Sequence, residues 1–160
     1  ILIGHSDGGS IALIHAGTTN GSRVKAIVTL AAHVFSEKAV RGVFKAAHKS
    51  YMTGDLRQRL KKYHGENVDH AFHGWHGVWT SSEFENWNLE EFLPAISVPS
   101  LIIQGVDDEY GTGAQVDAII KGIGPKAISH MIPDCAHSPH LQQRDATMEI
   151  IGNFIRQQQS

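Results

Sequence analysis

The chain has 160 residues, of which 41% are hydrophobic and 19% charged, and its 14 Lys and Arg against 16 Asp and Glu give a formal charge of −2. This balance is typical of one globular domain and excludes a disordered chain, and without a basic excess it gives no support for nucleic-acid binding. The single cysteine, Cys135, excludes an internal disulfide framework and a four-cysteine zinc site. No apolar run approaches the ~20 residues that span a bilayer.

The first third of the chain alternates between strand and helix patterns. It opens on an apolar strand, Ile1 to Ile3, followed by the glycine-rich turn Gly4-His5-Ser6-Asp7-Gly8-Gly9. Residues 10–16 have the pattern of a helix, and residues 24–32 form a mostly apolar second strand, as a parallel sheet covered on both faces needs. Because the chain begins inside a buried strand, we expect that an upstream part of the fold is missing.

Residues 33–94 differ in character from the rest of the chain. They are rich in Lys, His, Glu and aromatic residues, and they contain helical patterns at 36–49, 55–63 and 69–79 but no clear strand. About 60 residues is too long for a structureless loop inside a compact domain. We therefore expect a small helical insert.

The last third returns to alternating elements. We predict strands at 100–104 and 126–132, a helix at 115–121 between them, a loop at 133–140 and a closing helix that Asp145 caps. Strands that alternate with helices form parallel βαβ units. The fold class predicted is therefore α/β, with a mainly parallel sheet of about four strands flanked by helices.

The turn at Gly4-x-Ser6-x-Gly8 carries the clearest chemical signal. It lies between a predicted strand and a predicted helix, which is the context of a nucleophile elbow. Small flanking residues allow a strained turn, and the start of the helix favours developing negative charge. Ser6 is thus a candidate nucleophile, and the backbone N–H of Asp7 is a candidate oxyanion donor.

A serine nucleophile needs a base, and the base needs a carboxylate. The sequence supplies both in loops that follow strands, where open α/β sheets place their sites. Asp107 and Asp108 are the candidate acids, and His137 is the candidate base. Cys135 is a rival nucleophile in principle, but it lacks the elbow context, so we expect it to be a packed side chain.

The order Ser, Asp, His resembles that of the α/β-hydrolase superfamily, in its lidded, esterase-like branch. The resemblance covers the whole chain but only the second half of such a fold. The segments that carry it are Gly4-His5-Ser6-Asp7-Gly8-Gly9, Val98-Pro99-Ser100-Leu101-Ile102-Ile103-Gln104-Gly105-Val106-Asp107-Asp108 and Cys135-Ala136-His137-Ser138-Pro139.

The resemblance implies roles for these residues. Ser6 would be the nucleophile, His137 the general base and Asp108, rather than Asp107, the acid that orients the imidazole. Ala136 departs from the family's Gly-His-x-Pro pattern, although alanine is also small. Residues 1–32 and 95–160 would be the hydrolase core, and residues 33–94 the cap that shapes the substrate pocket. The four strands would be neighbours, with the family's earlier strands and second oxyanion loop absent.

The aromatic and histidine residues of the insert have more than one interpretation. We expect Trp75 and Trp79, together with His5 of the turn, to contact substrate. His70, His73 and His76 are spaced by three, as a helical metal site could be, but we predict no metal ion because no nearby cysteine adds specificity. The basic residues of the insert either form a solvated face or favour anionic substrates: Lys38, Arg41, Lys45, Lys49, Arg57, Arg59, Lys61 and Lys62.

The sequence therefore predicts a serine hydrolase of a carboxylic ester or similar acyl bond, without cofactor and with a small-molecule acyl substrate. One alternative is carbon–carbon bond hydrolysis of a ring-cleavage product on the same fold. Another is a small-molecule-binding module without turnover, and a third is a histidine-rich metal-binding domain. The lone cysteine makes a cytoplasmic, reduced-thiol protein the default expectation.

Overall fold

A computed structural model describes residues 1–18 and 23–158. Within these residues, four strands form one parallel sheet in the order β1-β2-β3-β4, so strands that follow one another in the chain are also neighbours in space. The strands are β1 Leu2–His5, β2 Ile27–Leu30, β3 Ser100–Gly105 and β4 Ala127–Ile132. The predicted α/β class, strand number and strand order are confirmed.

Helices follow every strand of the sheet. Short 3-10 turns lie at Lys38–Val40, Gly65–Asn67, Glu83–Asn86 and Glu90–Ala95. The α-helices are α1 Asp7–Thr18, α2 Arg41–Thr53, α3 Leu56–His64, α4 Val68–Thr80, α5 Gly113–Ile123, α6 Pro139–Gln142 and α7 Arg144–Gln157. None of these helices is both long and apolar enough to cross a membrane.

The core lies on both faces of the sheet because the central strands alternate two buried sets of side chains. Val28 and Leu101 pack with Ile151 and Phe154 of α7 on one face. Ile102, which lies on the opposite face from Leu101, is buried as well. Helices α1 and α5 contact the strands. Parallel strands buried on two faces have mostly apolar sequences, which is why the two central strands, β2 and β3, were recognisable.

Several predicted boundaries are wrong, and most of the errors have a local cause. The second strand ends at Leu30 rather than residue 32 because Ala31 takes a positive φ of 50°. The first helix begins at Asp7, three residues before the predicted start. The predicted loop at 133–140 contains the start of α6. Asp145 lies inside the first turn of α7 rather than at its cap, where its charge still favours the helix dipole.

The chain divides into two compact units. Residues 1–35 and those from 88 onward form a core unit, and residues 36–87 form a helical unit. The expected insert, residues 33–94, is therefore longer than the helical unit at both ends, because residues 33–35 and 88–94 belong to the core unit. The chain leaves and re-enters the core unit side by side, since Phe35 and Asn88 form an antiparallel bridge and the Leu89 N–H donates to the Val34 carbonyl at 2.8 Å.

The helical unit has its own small core. Tyr51, Val68 and Phe72 are buried at its centre, and the Tyr51 and Phe72 rings stack at 3.7 Å. The Asp69 carboxylate joins its three main helices, because it accepts hydrogen bonds from the Tyr51 hydroxyl at 2.6 Å and from Arg57 at 2.6 and 2.8 Å.

Candidate active site

Ser6 occupies the single residue between the end of β1 and the start of α1. Its φ is +54°, a left-handed conformation that an L-residue adopts only when the surroundings impose it. A Cβ on Gly4 would lie 2.1 Å from the Gly8 carbonyl oxygen, and one on Gly9 would lie 2.7 Å from the Ala32 Cβ. These close approaches fold the strand back onto the helix and lift the serine out of the strand.

Asp108 lies in the turn that follows β3. Its side chain is only 1% exposed, and its carboxylate accepts hydrogen bonds from the Tyr110 backbone N–H at 2.9 Å and from His137 Nδ1 at 2.9 Å. Asp107, its neighbour, is exposed. Of the two acids that the sequence left open, the structure places Asp108 against the histidine.

His137 connects the acid to the serine. Its Nε2 lies 3.0 Å from Ser6 Oγ, while its Nδ1 faces the Asp108 carboxylate. Ser6 follows the first strand of the sheet and His137 follows the fourth, so the histidine loop must reach across about 14 Å, three strand spacings. The structure thus brings together, at the carboxyl ends of the strands, three side chains of which the first and the last are 131 positions apart in the chain.

Backbone contacts between two loops hold His137 over the sheet. The N–H of Val106 donates to the Ile132 carbonyl and that of Asp107 to the Cys135 carbonyl, each at 2.9 Å. Gly105 makes this approach possible, since a Cβ there would lie 2.1 Å from the Cys135 carbonyl oxygen. The acid loop and the histidine loop are therefore positioned as one unit.

Three aromatic side chains surround the His137 ring. The rings of Tyr110, His5 and His33 lie 4.7, 5.0 and 5.7 Å from it, centre to centre. Burial lowers the pKa of His5 and raises the pKa of Tyr110, which also faces the carboxylates Glu109 and Asp108. Sequence reasoning missed Tyr110 and His33, although Tyr110 lies two residues beyond Asp108.

Cys135 is a buried free thiol beside this site. Burial raises its pKa, and the carboxylates of Asp108 and Asp107 raise it further. Since the thiolate is the reactive form, these surroundings keep Cys135 protonated and unreactive. This environment favours the packed role over that of a rival nucleophile.

Asp7 provides a backbone donor next to the serine. It is the first residue of α1, so its N–H has no acceptor within the helix and points toward the space in front of the helix N-terminus. The dipole of the twelve-residue α1 adds a partial positive charge at the same place. A developing anion at Ser6 would be stabilised there.

Trp75 and Trp79 lie in α4 of the helical unit, where both pack against Phe44. The centres of their rings lie 5.5 and 5.6 Å, respectively, from the centre of the Phe44 ring. Of the spaced histidines, His70 is exposed, His73 packs against Tyr51, and the His76 ring lies 4.9 Å from that of His48. Among the described residues, no group of three or more His, Cys, Asp or Glu side chains is placed to hold a metal ion.

Half of the basic residues of the helical unit are engaged in ion pairs. Arg41 pairs with Glu85 at 2.7 Å, Arg57 with Asp69 at 2.6 Å and Lys61 with Glu66 at 2.8 Å. Arg59 makes a longer pair with Asp55 at 3.7 Å. These carboxylates compensate part of the positive charge that the sequence concentrates here.

Comparison with known families decides the relationship. The model of the alpha/beta hydrolase family matches residues 1–150. The chain belongs to the alpha/beta hydrolase family. This match confirms the resemblance to the α/β-hydrolase superfamily. No curated protein sequence matches the chain significantly.

Solved structures of this family have the same fold. A meta-cleavage product hydrolase from Pseudomonas fluorescens IP01 aligns with 97% of this chain and 64% of its own, at 16% identity and a TM-score of 0.69. An esterase from Thermogutta terrifontis aligns with 99% and 65%, at 20% identity and a TM-score of 0.63. A serine hydrolase of carbazole degradation, CarC, aligns with 96% and 62%, at 17% identity and a TM-score of 0.71. The chain thus spans less than two thirds of the length of these proteins.

Proposed function

We propose that Ser6, His137 and Asp108 are the catalytic residues of a serine hydrolase that cleaves a carboxylic ester or a similar acyl bond. The observation that carries this proposal is the continuous path of hydrogen bonds from the Asp108 carboxylate, at 2.9 Å, through His137 to Ser6 Oγ, at 3.0 Å. Nucleophile, base and orienting acid need this connection, and an incidental serine in a glycine-rich turn does not.

The hydrogen-bond partners set the direction of proton transfer. A carboxylate can only accept, so His137 Nδ1 carries the proton that faces Asp108, and Nε2 presents its lone pair to the Ser6 hydroxyl. His137 takes the hydroxyl proton as Ser6 Oγ attacks the carbonyl carbon, and then gives this proton to the leaving alkoxide. In the second half, His137 takes a proton from water as the resulting hydroxide attacks the acyl carbon, and it then returns this proton to Ser6 Oγ as the acid leaves.

The Asp7 N–H is the first donor to the oxyanion that forms in both halves. Its place at the N-terminus of α1 supports this role, because the helix dipole acts on the same oxygen. A preorganised donor of this kind typically contributes about 10²- to 10³-fold in rate.

We further propose that the helical unit, residues 36–87, is a cap that selects the substrate. Its insertion between β2 and β3 and the half-buried rings of Trp75 and Trp79 support this. The core unit contains all three catalytic residues, so the chemistry and the selection would belong to different parts of the chain.

Carbon–carbon bond hydrolysis is the second candidate. Its support is the likeness in fold to the meta-cleavage product hydrolase from Pseudomonas fluorescens IP01, as the ester reaction is supported by likeness to esterases. Turnover of p-nitrophenyl butyrate against turnover of a ring-cleavage dienoate separates the two reactions.

Labelling with a fluorophosphonate ester tests the serine chemistry. We expect the wild-type protein to be modified at Ser6, as identified by peptide mass mapping. We expect S6A to be unlabelled and to lose more than about 10⁴-fold in ester turnover. Melting of S6A at the wild-type temperature controls for folding. A protein whose Ser6 resists the probe, or an S6A variant that turns over ester normally, would contradict the proposal; the first result would favour a binding module.

A further inference from the structure

We propose that His5 is a positioning residue that holds the His137 loop over Ser6 by donating a hydrogen bond from its Nε2 to the His137 carbonyl oxygen. This inference rests on the proposed function, because it concerns how the base of that reaction is placed. The two atoms lie 2.7 Å apart although their residues are 132 positions apart in the chain.

The position of this bond in the fold gives it a mechanical purpose. On the acid side, the His137 loop is held by the Asp107 N–H to Cys135 carbonyl bond and by the His137 N–H, which donates to the Glu109 carboxylate at 3.3 Å. These contacts lie near β3 and β4. His5 is the last residue of β1, the edge strand on the opposite side of the sheet from β4. Its bond therefore holds the part of the His137 loop that lies beside Ser6.

His5 is also rigidly connected to the nucleophile, because it directly precedes Ser6. The Ser6 N–H donates to the Leu30 carbonyl at 2.8 Å, which ties this strand end to β2. A bond from His5 to the backbone of His137 therefore fixes the base relative to the serine through few rotatable bonds. A misplacement of about 1 Å between reacting groups can cost 100-fold in rate.

The chemistry of the ring fits this role. A carbonyl oxygen only accepts, so His5 Nε2 must carry the proton. Burial lowers the pKa of His5 and outweighs the hydrogen bond with the His137 backbone, which raises it, so the neutral form of His5 is favoured beside an imidazole that gains charge during the reaction. Since Nε2 is bonded to the loop, this nitrogen is not available to substrate, which argues for positioning over the substrate contact expected from the sequence.

Two amide variants separate positioning from bulk packing. Glutamine places its amide nitrogen about as far from the backbone as histidine Nε2, whereas asparagine is one methylene shorter. We expect H5N to reduce the fluorophosphonate labelling rate and the kcat for p-nitrophenyl butyrate by about 10- to 100-fold, with KM nearly unchanged. We expect both rates in H5Q to stay within a few-fold of wild type. Equal rates in H5N and wild type, or equal losses in H5N and H5Q at wild-type melting temperatures, would overturn the proposal.

Imidazole nitrogen NMR on ¹⁵N-histidine protein gives a readout that does not depend on turnover. We expect the Nε2–H tautomer at His5, and we expect the His137 ring signals to move in H5N but not in H5Q; the Nδ1–H tautomer at His5 would overturn the proposal. Wild-type protein that is not labelled at Ser6 would contradict the hydrolase function itself. In that case the His137 signals alone decide the positioning role, with movement in H5N only supporting it and identical signals in all three proteins overturning it.

Discussion

At the scale of single residues, neighbours with the same chemistry have opposite environments in this site. Asp108 is buried against His137 and Tyr110, whereas Asp107 is exposed and contributes its backbone N–H to the Cys135 carbonyl. A carboxylate that is hydrogen-bonded to one ring nitrogen, as Asp108 is to His137 Nδ1, holds the imidazole in one tautomer. The two acids therefore form a matched pair for mutation.

The first prediction concerns this pair. D108N should reduce ester turnover by about 10³- to 10⁴-fold, because an amide at this place favours the wrong imidazole tautomer. D107N should retain turnover close to wild type. Steady-state rates of both variants, with circular dichroism as the folding control, check the assignment, and a larger loss in D107N would exchange the two roles.

The second prediction concerns the glycines of the elbow. G4A should lower the free energy of unfolding by about 3 kcal/mol or more, because its methyl group would overlap the Gly8 carbonyl. Nothing lies within 4 Å of a Cβ at Gly8, which is part of α1, so G8A should leave stability unchanged or raise it by up to about 1 kcal/mol. Urea denaturation of both variants measures the difference, and similar losses would show that the motif's two glycines have one steric role.

At the scale of elements, a buried amide joins α5 to the segment that leaves β2. The Gln115 side chain is 1% exposed; it accepts from the Val34 N–H at 2.8 Å and donates to the Phe35 carbonyl at 3.0 Å. These backbone groups lie just before the boundary of the helical unit. One side chain thus satisfies the polar backbone where the chain leaves the core unit.

The third prediction follows from that contact. Q115L should destabilise the protein by about 2–4 kcal/mol, since buried backbone donors and acceptors lose their partners while the volume of the side chain is kept. Q157L, on the exposed end of α7, should change stability by less than about 0.5 kcal/mol. Chemical denaturation compares the two, and equal effects would contradict the role of Gln115.

The fourth prediction concerns the carboxylate that joins α2, α3 and α4. Hydrogen bonds from Arg57 and Tyr51 hold the pKa of Asp69 well below its usual range. Because the folded state depresses this pKa, the stabilisation is present above the unfolded value of about 3.9 and is lost as the pH falls below it. The advantage of wild type over D69N should therefore be clear at about pH 7 and decline below about pH 4.

Thermal melts across this pH range measure the effect. D55N is the matched control, since Asp55 makes only a long, exposed ion pair with Arg59 at 3.7 Å. A wild-type advantage over D69N that persists unchanged at low pH would contradict this explanation.

At the scale of the whole molecule, the parts of the fold that repeat a simple pattern were predictable. The two central strands, β2 and β3, are buried along their whole length, whereas the edge strands β1 and β4 are partly exposed. The order of strands and helices alone indicated parallel βαβ units. Boundaries were less predictable, because they depend on backbone angles. Nothing in the sequence indicates that Ala31 takes a positive φ, and α6 is too short to show a helical period.

The site divides in the same way. Ser6, Asp108 and His137 could be named as candidates because each follows a strand, and the carboxyl ends of parallel strands lie at one end of the sheet. The partners of these residues could not be named, since the contact of His5 with the His137 carbonyl depends on the path of a loop over three strands. A side-chain to backbone bond leaves no pattern of residue types that sequence reasoning could detect.

The fifth prediction tests whether the core unit carries out the chemistry while the helical unit selects the substrate. Phe35 and Asn88 pair directly, so an Asn-Gly turn can replace residues 36–87 and connect these two residues as a hairpin. We expect Ser6 to remain reactive toward the fluorophosphonate, while KM for long-chain esters rises about 10- to 100-fold through lost apolar contacts. A folded variant whose Ser6 no longer reacts would place part of the chemistry in the helical unit.

The positive φ of Ser6 limits which residues evolution or an engineer can place there. A side chain branched at Cβ is strongly disfavoured in the left-handed region, so threonine, the chemically nearest substitute, is the one that the backbone rejects. Cysteine and aspartate are unbranched at that atom and fit the same turn. The geometry that presents the hydroxyl thus leaves this fold free to change the kind of nucleophile, but not to add a methyl group to the one it has.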